Sequence, residues 1–249
     1  MVKFDQERFQ PGVSVDCVIF GFHAGQIRVL LLKLKGADLW SLPGGFVSRE
    51  ESVDDAAVRV LQERTGLKEL FLQQFAFFGA AKRGQHGHAE WLVEQGVIPE
   101  QLQSWFQQRF ITLGYYALVE YSKVPDPQPD PISESCGWYP LGNLPALMLD
   151  HNQIVFTAHN ILKQHIYNQP VGLNLLPVQF TMPELRALYE SILQKPLDRR
   201  NFQRKMLALK ILIRKGKLQD GRPNKAPWLY EFDVARYRKA VREGFNLGL

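Results

Sequence analysis

Gly45 is followed after five residues by Glu51 and after seven more by Arg59, and this spacing spans a change of local structure. Gly44-Gly45 come after Trp40-Ser41-Leu42-Pro43, in a strand–loop–helix context. Beyond them Val53, Ala56, Ala57, Val60 and Leu61 recur at i, i+3, i+4, i+7 and i+8, the pattern of one buried helical face. The helix is expected from about Ser52 to Thr65, stopped by Gly66. Strand, loop and amphipathic helix in that order point to a mixed α/β fold.

The flanking segments agree. Residues 13–21 and 27–34 are β-favouring runs around His23-Ala24-Gly25-Gln26 and predict a hairpin. Further strands are expected at Leu70–Phe78, Ile111–Tyr121 and Cys136–Pro140. Residues 80–109 read as an excursion from the sheet with two short helices, in which Trp91, Trp105, Phe106 and Phe110 form a private core. The prolines of 125–131 forbid helix and central strand. A helix is expected from Asn152 to Tyr167, N-capped by Asp150 or Asn152. The expected organisation is one domain over 1–168, a linker over 169–180 and a second domain over 181–249. No apolar run approaches the ~20 residues of a membrane helix, so no membrane partner is expected. With only Cys17 and Cys136 available and no apolar N-terminal core, the expected compartment is the cytoplasm.

Leu61, Glu63, Gly66 and Leu67 extend the first spacing at fixed offsets. Together these positions resemble the Nudix box, Gly-x5-Glu-x7-Arg-Glu-U-x-Glu-Glu-x-Gly-U, where U is a bulky aliphatic. In that family carboxylates on one helical face hold divalent metal for pyrophosphate hydrolysis. Here the three helix-face positions are Val60, Glu63 and Arg64. The resemblance thus implies a Nudix-like sandwich that binds a ligand without hydrolysing it, with no metal and no cofactor. The expected effector site is Gly45, Phe46, Glu51, Arg59, Glu63 and Arg64, with Arg64 standing where the metal would be. The alternative is a weak hydrolase of a nucleoside diphosphate derivative, in which Glu51 and Glu63 retain one Mg²⁺. Glu63 is equally suited to a structural ion pair with Arg59 or Arg64. His86-Gly87-His88 lacks a third ligand at metal-binding spacing.

Charge separates the last quarter from the rest. Residues 181–249 hold 16 Lys+Arg against 7 Asp+Glu, net +9, while 1–180 are net −4. A basic module on an acidic body suggests a polyanion-binding unit. It opens with Thr181-Met182-Pro183-Glu184, a capping box, followed by a helix burying Leu185, Leu188, Tyr189, Ile192 and Leu193. Asp198 caps a second helix whose buried face is Phe202, Met206 and Leu209, and 211–213 with 228–232 form a hairpin. Arg200 and Arg204 then face outward with Gln203 and Asn201, as base-reading side chains require. Arg199, Lys205, Lys215 and Lys217 are expected on phosphates, and Arg222, Asn224 and Lys225 at the hairpin tip.

Helix, turn, basic helix and basic wing after a Nudix-like domain resemble the Nudix-related transcriptional regulators, NrtR-like or arabinose-regulator-like. Gly44-Gly45-Phe46-Val47, Leu149-Asp150-His151, Asn174-Leu175-Leu176-Pro177 and Leu197–Phe202 resemble the branch that governs pentose use; another branch responds to ADP-ribose. The resemblance implies a homodimeric repressor that binds a double-stranded DNA operator through a winged helix-turn-helix. Its effector would be a pentose, a sugar phosphate or ADP-ribose.

Overall fold

The structure, a computed structural model, describes residues 5–68, 71–83, 87–168, 171–218 and 226–244. The chain divides into two units. The first comprises residues up to Gly21, Arg28–Leu118 and Val124–Ala158; the second comprises Phe22–Ile27, Val119–Lys123 and the chain from His159 onward.

The first unit is built on β1 (Phe9–His23), β2 (Gln26–Leu34), β3 (Trp40–Ser41), β4 (Gly44–Ser48), β5 (Phe71–Phe78), β6 (Ile111–Val119) and β7 (Ser133–Pro140). They form one sheet ordered β3-β2-β1-β6-β5, with β4 paired to β1 and β7 to β2. β1 is buried without interruption from Val15 to Gly21 and β2 from Val29 to Leu32. Uninterrupted burial rather than alternation means that both faces of these strands are covered. Helix α1 (Val53–Thr65) has Ser52 as N-cap and ends on Gly66 at φ 72°, a left-handed stop that glycine adopts without strain.

The Gly44-Gly45 pair is part of strand β4, not of a loop. Val15 pairs with Gly45 and Asp16 with Gly44. A Cβ on Gly44 would stand 2.5 Å from Asp16 Oδ1 and 2.8 Å from the Val15 carbonyl, and one on Gly45 would stand 2.9 Å from Val60 Cγ2. The glycines are needed because β4 is pressed between β1 and α1.

The 80–109 excursion carries α2 (His88–Glu94) and α3 (Gln103–Phe106), as expected, but its core is not private. Leu92, Val97 and Ile98 pack with Leu34 and the half-buried Leu39 and Met148. The rings of Trp105, Phe106 and Phe110 lie 5.4, 5.6 and 5.0 Å from that of Phe46. Helices this short cannot bury their own aromatic rings, so the excursion closes over the rest of the unit instead.

Helix α4 (His151–Asn168) enters the second unit at His159. There it is joined by α5 (Gly172–Leu175), β8 (Phe180–Thr181), α6 (Met182–Leu193), α7 (Arg199–Ala208), β9 (Leu212–Lys217), β10 (Trp228–Phe232) and α8 (Val234–Glu243). The strands form a sheet ordered β8-β10-β9. Within the stretch expected as a linker, Val171, Gly172, Leu175 and Leu176 are buried.

The capping box forms: Thr181 Oγ1 accepts from Glu184 N at 3.3 Å, and Glu184 Oε2 accepts from Thr181 N at 2.6 Å. Asp198 caps α7 by accepting from Asn201 N at 2.8 Å. Leu185, Leu188, Tyr189, Ile192, Phe202 and Met206 are buried, with the Tyr189 and Phe202 rings 5.2 Å apart. Leu209, expected on the buried face of α7, is half-buried at its C-cap, because the helix ends at Ala208. Helix α8 was not expected: its one buried residue, Tyr237, packs on Phe232 at 5.5 Å, too sparse a pattern to see in sequence. Two further segments close the unit, Ile27 N donating to Ser191 Oγ at 2.7 Å and His159 Nε2 lying 2.7 Å from the Ile192 carbonyl. Among the described residues no helix is long and apolar enough to cross a membrane.

Candidate effector site and nucleic-acid interface

The Nudix-box side chains are brought together and are already paired. Arg59 grips Glu51 with two bonds, Nε to Oε2 at 3.0 Å and Nη2 to Oε1 at 2.7 Å, and Nη2 also donates to the Phe46 carbonyl at 2.9 Å. Glu51 Oε1 accepts a further bond from Ser48 N at 2.8 Å. Glu63 meets Arg64 Nη2 at 2.9 Å and Arg59 Nη1 at 3.5 Å. Charge-assisted, bidentate pairing of this kind is the strong form of the interaction. It holds the Glu51 carboxyl below its ordinary 4.5, the Arg59 hydrogen bonds being the main cause. Arg59 is raised in turn by the same bonds.

Arg64 stands beside Glu63, as expected of an ion pair, but most of its side chain is turned inward. Val60 and Arg64 lie on the buried stripe of α1 with Ala56, Ala57 and Leu61. The Arg64 side chain is 8% exposed, and its Nη1 donates to the Gln128 carbonyl at 3.2 Å while its own carbonyl accepts from Gln128 N. It ties α1 to the proline loop. These residues do not fit a divalent cation: Val60 supplies no oxygen, and each remaining carboxylate is already occupied by guanidinium. Among the described residues no group of three His, Cys, Asp or Glu is placed to hold a metal ion.

The Glu51–Arg59 pair makes a pH prediction. A carboxyl whose folded pKa is depressed contributes stability that is fully present above its unfolded value of 4.5 and is lost as the pH falls through the lower folded value. Glu51→Gln is therefore expected to flatten the acid limb of a stability profile below pH 4.5. An acid limb identical to that of the parent protein would show the pair to be irrelevant to folding.

A second polar cluster lies under Gly44. Arg83 donates through Nη2 to Asp16 Oδ2 at 3.0 Å and through Nε to both Asp150 oxygens at 3.0 and 2.9 Å. Its side chain is 6% exposed, that of Asp16 10%. The Asp150 carboxylate, expected as a helix cap, is thus committed to Arg83. His151 Nδ1 accepts from Leu42 N at 2.9 Å, and burial pushes its pKa down. The neutral ring then carries its proton on Nε2, which lies 3.8 Å from Asp16 Oδ1. Asp16 was the available signal, since a lone carboxylate in the run Val15-Asp16-Cys17-Val18 must find a cation when the strand is buried. Nothing local to Arg83 marks it as the partner.

On the second unit, Arg199, Arg200 and Arg204 are exposed, Asn201, Gln203 and Lys205 half-buried. Arg204 Nη2 donates to Asn201 Oδ1 at 2.8 Å. Lys215 and Lys217, expected together on phosphates, part company. Lys217 pairs with Trp228 and Arg214 with Tyr230, so β9 carries one extra residue opposite Leu229, a bulge that reverses the side-chain alternation. Lys215 pairs with Glu231 at 3.3 Å, whereas Arg214 and Lys217 share the Trp228 ring at 4.3 and 5.6 Å. Arg222, Asn224 and Lys225 lie outside the described residues.

A Nudix box lacking two of its three helix-face carboxylates, preceding helices and a hairpin in winged-helix order, defines a two-part protein: a ligand-binding type of domain joined to a DNA-binding one. The NUDIX domain family matches residues 10–159, and the NrtR DNA-binding winged helix domain matches residues 172–232. The chain belongs to the Nudix family and carries an NrtR winged helix. It is 29% identical over 204 residues to the ADPR responsive transcriptional repressor NtrR of Acinetobacter baylyi, covering 79% of this chain and 72% of that one. The crystal structure of Shewanella oneidensis NrtR superposes with a TM-score of 0.68 at 26% identity, covering 91% of this chain and 96% of that one. The ADP-ribose pyrophosphatase of Methanocaldococcus jannaschii is 33% identical over 81 residues, 31% of this chain and 46% of that enzyme.

Proposed function

We propose that this protein is a cytoplasmic, homodimeric transcriptional repressor whose Nudix domain senses an ADP-ribose-like metabolite and whose winged helix holds a double-stranded DNA operator. The observation that carries the reading is a contrast within one chain. The box carboxylates Glu51 and Glu63 are neutralised by Arg59 and Arg64, while Arg199, Arg200 and Arg204 on α7 remain exposed. Similarity to the ADPR responsive repressor favours ADP-ribose over a pentose or sugar phosphate. The effector is recognised around Gly45, Phe46, Glu51, Arg59 and Glu63, with Arg64 holding the helix from behind. It acts by linkage: it releases DNA only to the extent that it binds the DNA-free conformation more tightly. No hydrolysis and no Mg²⁺ enter this cycle.

Two measurements on the intact protein test the reading. ADP-ribose is expected to raise the apparent Kd for operator DNA in a mobility-shift assay without added metal. Incubated with Mg²⁺ or Mn²⁺, ADP-ribose is expected to turn over at well under ~1 s⁻¹, below ordinary enzymatic rates. Faster turnover with no effect on DNA binding would favour the hydrolase reading.

A further inference from the structure

Between the first turn of α6, helix α7 and the wing strands lies a groove of about 540 Å³. Arg186 enters it from α6, Arg199 from α7 and Lys217 from β9, and among the described residues no carboxylate lines it. Three cations from three elements converge there, although like charges so placed repel one another and raise the cost of folding. The arrangement is incomplete as it stands. Arg186 Nε is buried and makes no hydrogen bond. Its nearest carboxylate, Glu190, stands 3.7 Å away and already accepts from Leu197 N at 2.8 Å. One wall is Trp228, 39% exposed, with Arg214 and Lys217 against its ring.

We infer that this groove seats one nucleotide unit of the DNA backbone, its phosphodiester between Arg186, Arg199 and Lys217 and its sugar against Trp228. The inference rests on the DNA-binding reading above and adds to it a site outside the outward face of α7, with Arg186 of α6 as a phosphate-holding residue. Size and charge point the same way. A volume of 540 Å³ is far more than a bare phosphate fills, and an apolar floor including Phe202 and Tyr230 suits a sugar edge. One phosphodiester would offset one of the three positive charges, and its anionic oxygens are acceptors for the groove-facing guanidinium and ammonium groups. The β9 bulge has a role here: without it Lys217 would lie on the Lys215 side and the groove would lose its third cation. Free nucleotides share the phosphate chemistry; the DNA strand is favoured because Arg200 and Arg204 on the same helix are exposed beside Arg199.

The test uses the full chain and fluorescence anisotropy of labelled operator and random duplexes over a salt series. Arg186→Gln and, separately, Lys217→Gln are expected to weaken both duplexes alike and to reduce the slope of log K against log[salt], by at most about one unit because the three cations share one phosphate. Across a fourfold rise in salt a full unit is a roughly threefold smaller loss of affinity. Lys68→Gln, an exposed charge of the first unit, controls for net charge and should leave the slope unchanged. Lys217 lies at an exposed strand end, so its variant remains informative if Arg186→Gln fails to fold. Unchanged slopes in both variants would overturn the proposal, as would AMP binding that both variants abolish while DNA affinity is kept, which assigns the groove to free nucleotides. If the parent protein binds neither duplex at any salt, the DNA-binding reading itself has failed.

Discussion

Replacing Arg83 with Met is expected to destabilise the first unit by about 3–5 kcal/mol, the range for removing one partner of a buried ionic cluster. The cause is what remains. Asp16 and Asp150 currently share one guanidinium, with Asp16 10% and Asp150 22% exposed. Without it two carboxylates face each other in a site that water barely reaches, and desolvation penalises both charges. At ~2–4 °C per kcal/mol for a chain of this size, the melting temperature should fall by roughly 6–20 °C. Adding Asp16→Asn and Asp150→Asn to Arg83→Met should recover part of the loss at neutral pH. A deficit below ~1 kcal/mol, in the range of surface ion pairs, would show the cluster to be hydrated in solution.

The second large effect is expected on DNA. Arg200→Ala or Arg204→Ala should each cost about 1–3 kcal/mol on the operator, roughly 5- to 150-fold, with much smaller losses on random DNA. Both residues lie on the exposed face of α7, and Asn201 fixes Arg204 through a 2.8 Å bond from Nη2. Asn201→Ala should therefore relax the same base preference as Arg204→Ala by freeing its side chain, at a smaller cost. A dimer of such units should also prefer palindromic half-sites one or two helical turns apart. Mobility shifts on operator and random DNA decide the matter: equal losses on both sequences would mean that Arg200 and Arg204 hold phosphates rather than read bases.

The division between what was legible in the chain and what was not follows the range of the forces involved. Helix α1 with its Gly66 stop, the Thr181–Glu184 capping box and the Asp198 cap are local: each depends on residues within about one turn, and each was readable. The buried face of α6, and that of α7 apart from Leu209, followed from the 3.6-residue period for the same reason. The replacement of two of the three helix-face carboxylates was readable too, because Val60 and Arg64 occupy positions fixed by spacing along one helix. Partner choice between distant segments was not. Arg83 lies 67 residues from both Asp16 and Asp150, and no local pattern links them. Phe46 is enclosed by rings from 105–110, and the sequence shows only that both segments are aromatic. The separation of Lys215 from Lys217 depends on a bulge whose extra residue is defined only by pairing with β10. Sequence alone determined most of the elements, the caps of α1, α6 and α7 and the two missing carboxylates, since these follow from covalent neighbours and helical period. Tertiary structure alone decided which charges are paired off and which remain for a ligand, because that depends on contacts between segments far apart in the chain and on the burial those contacts create.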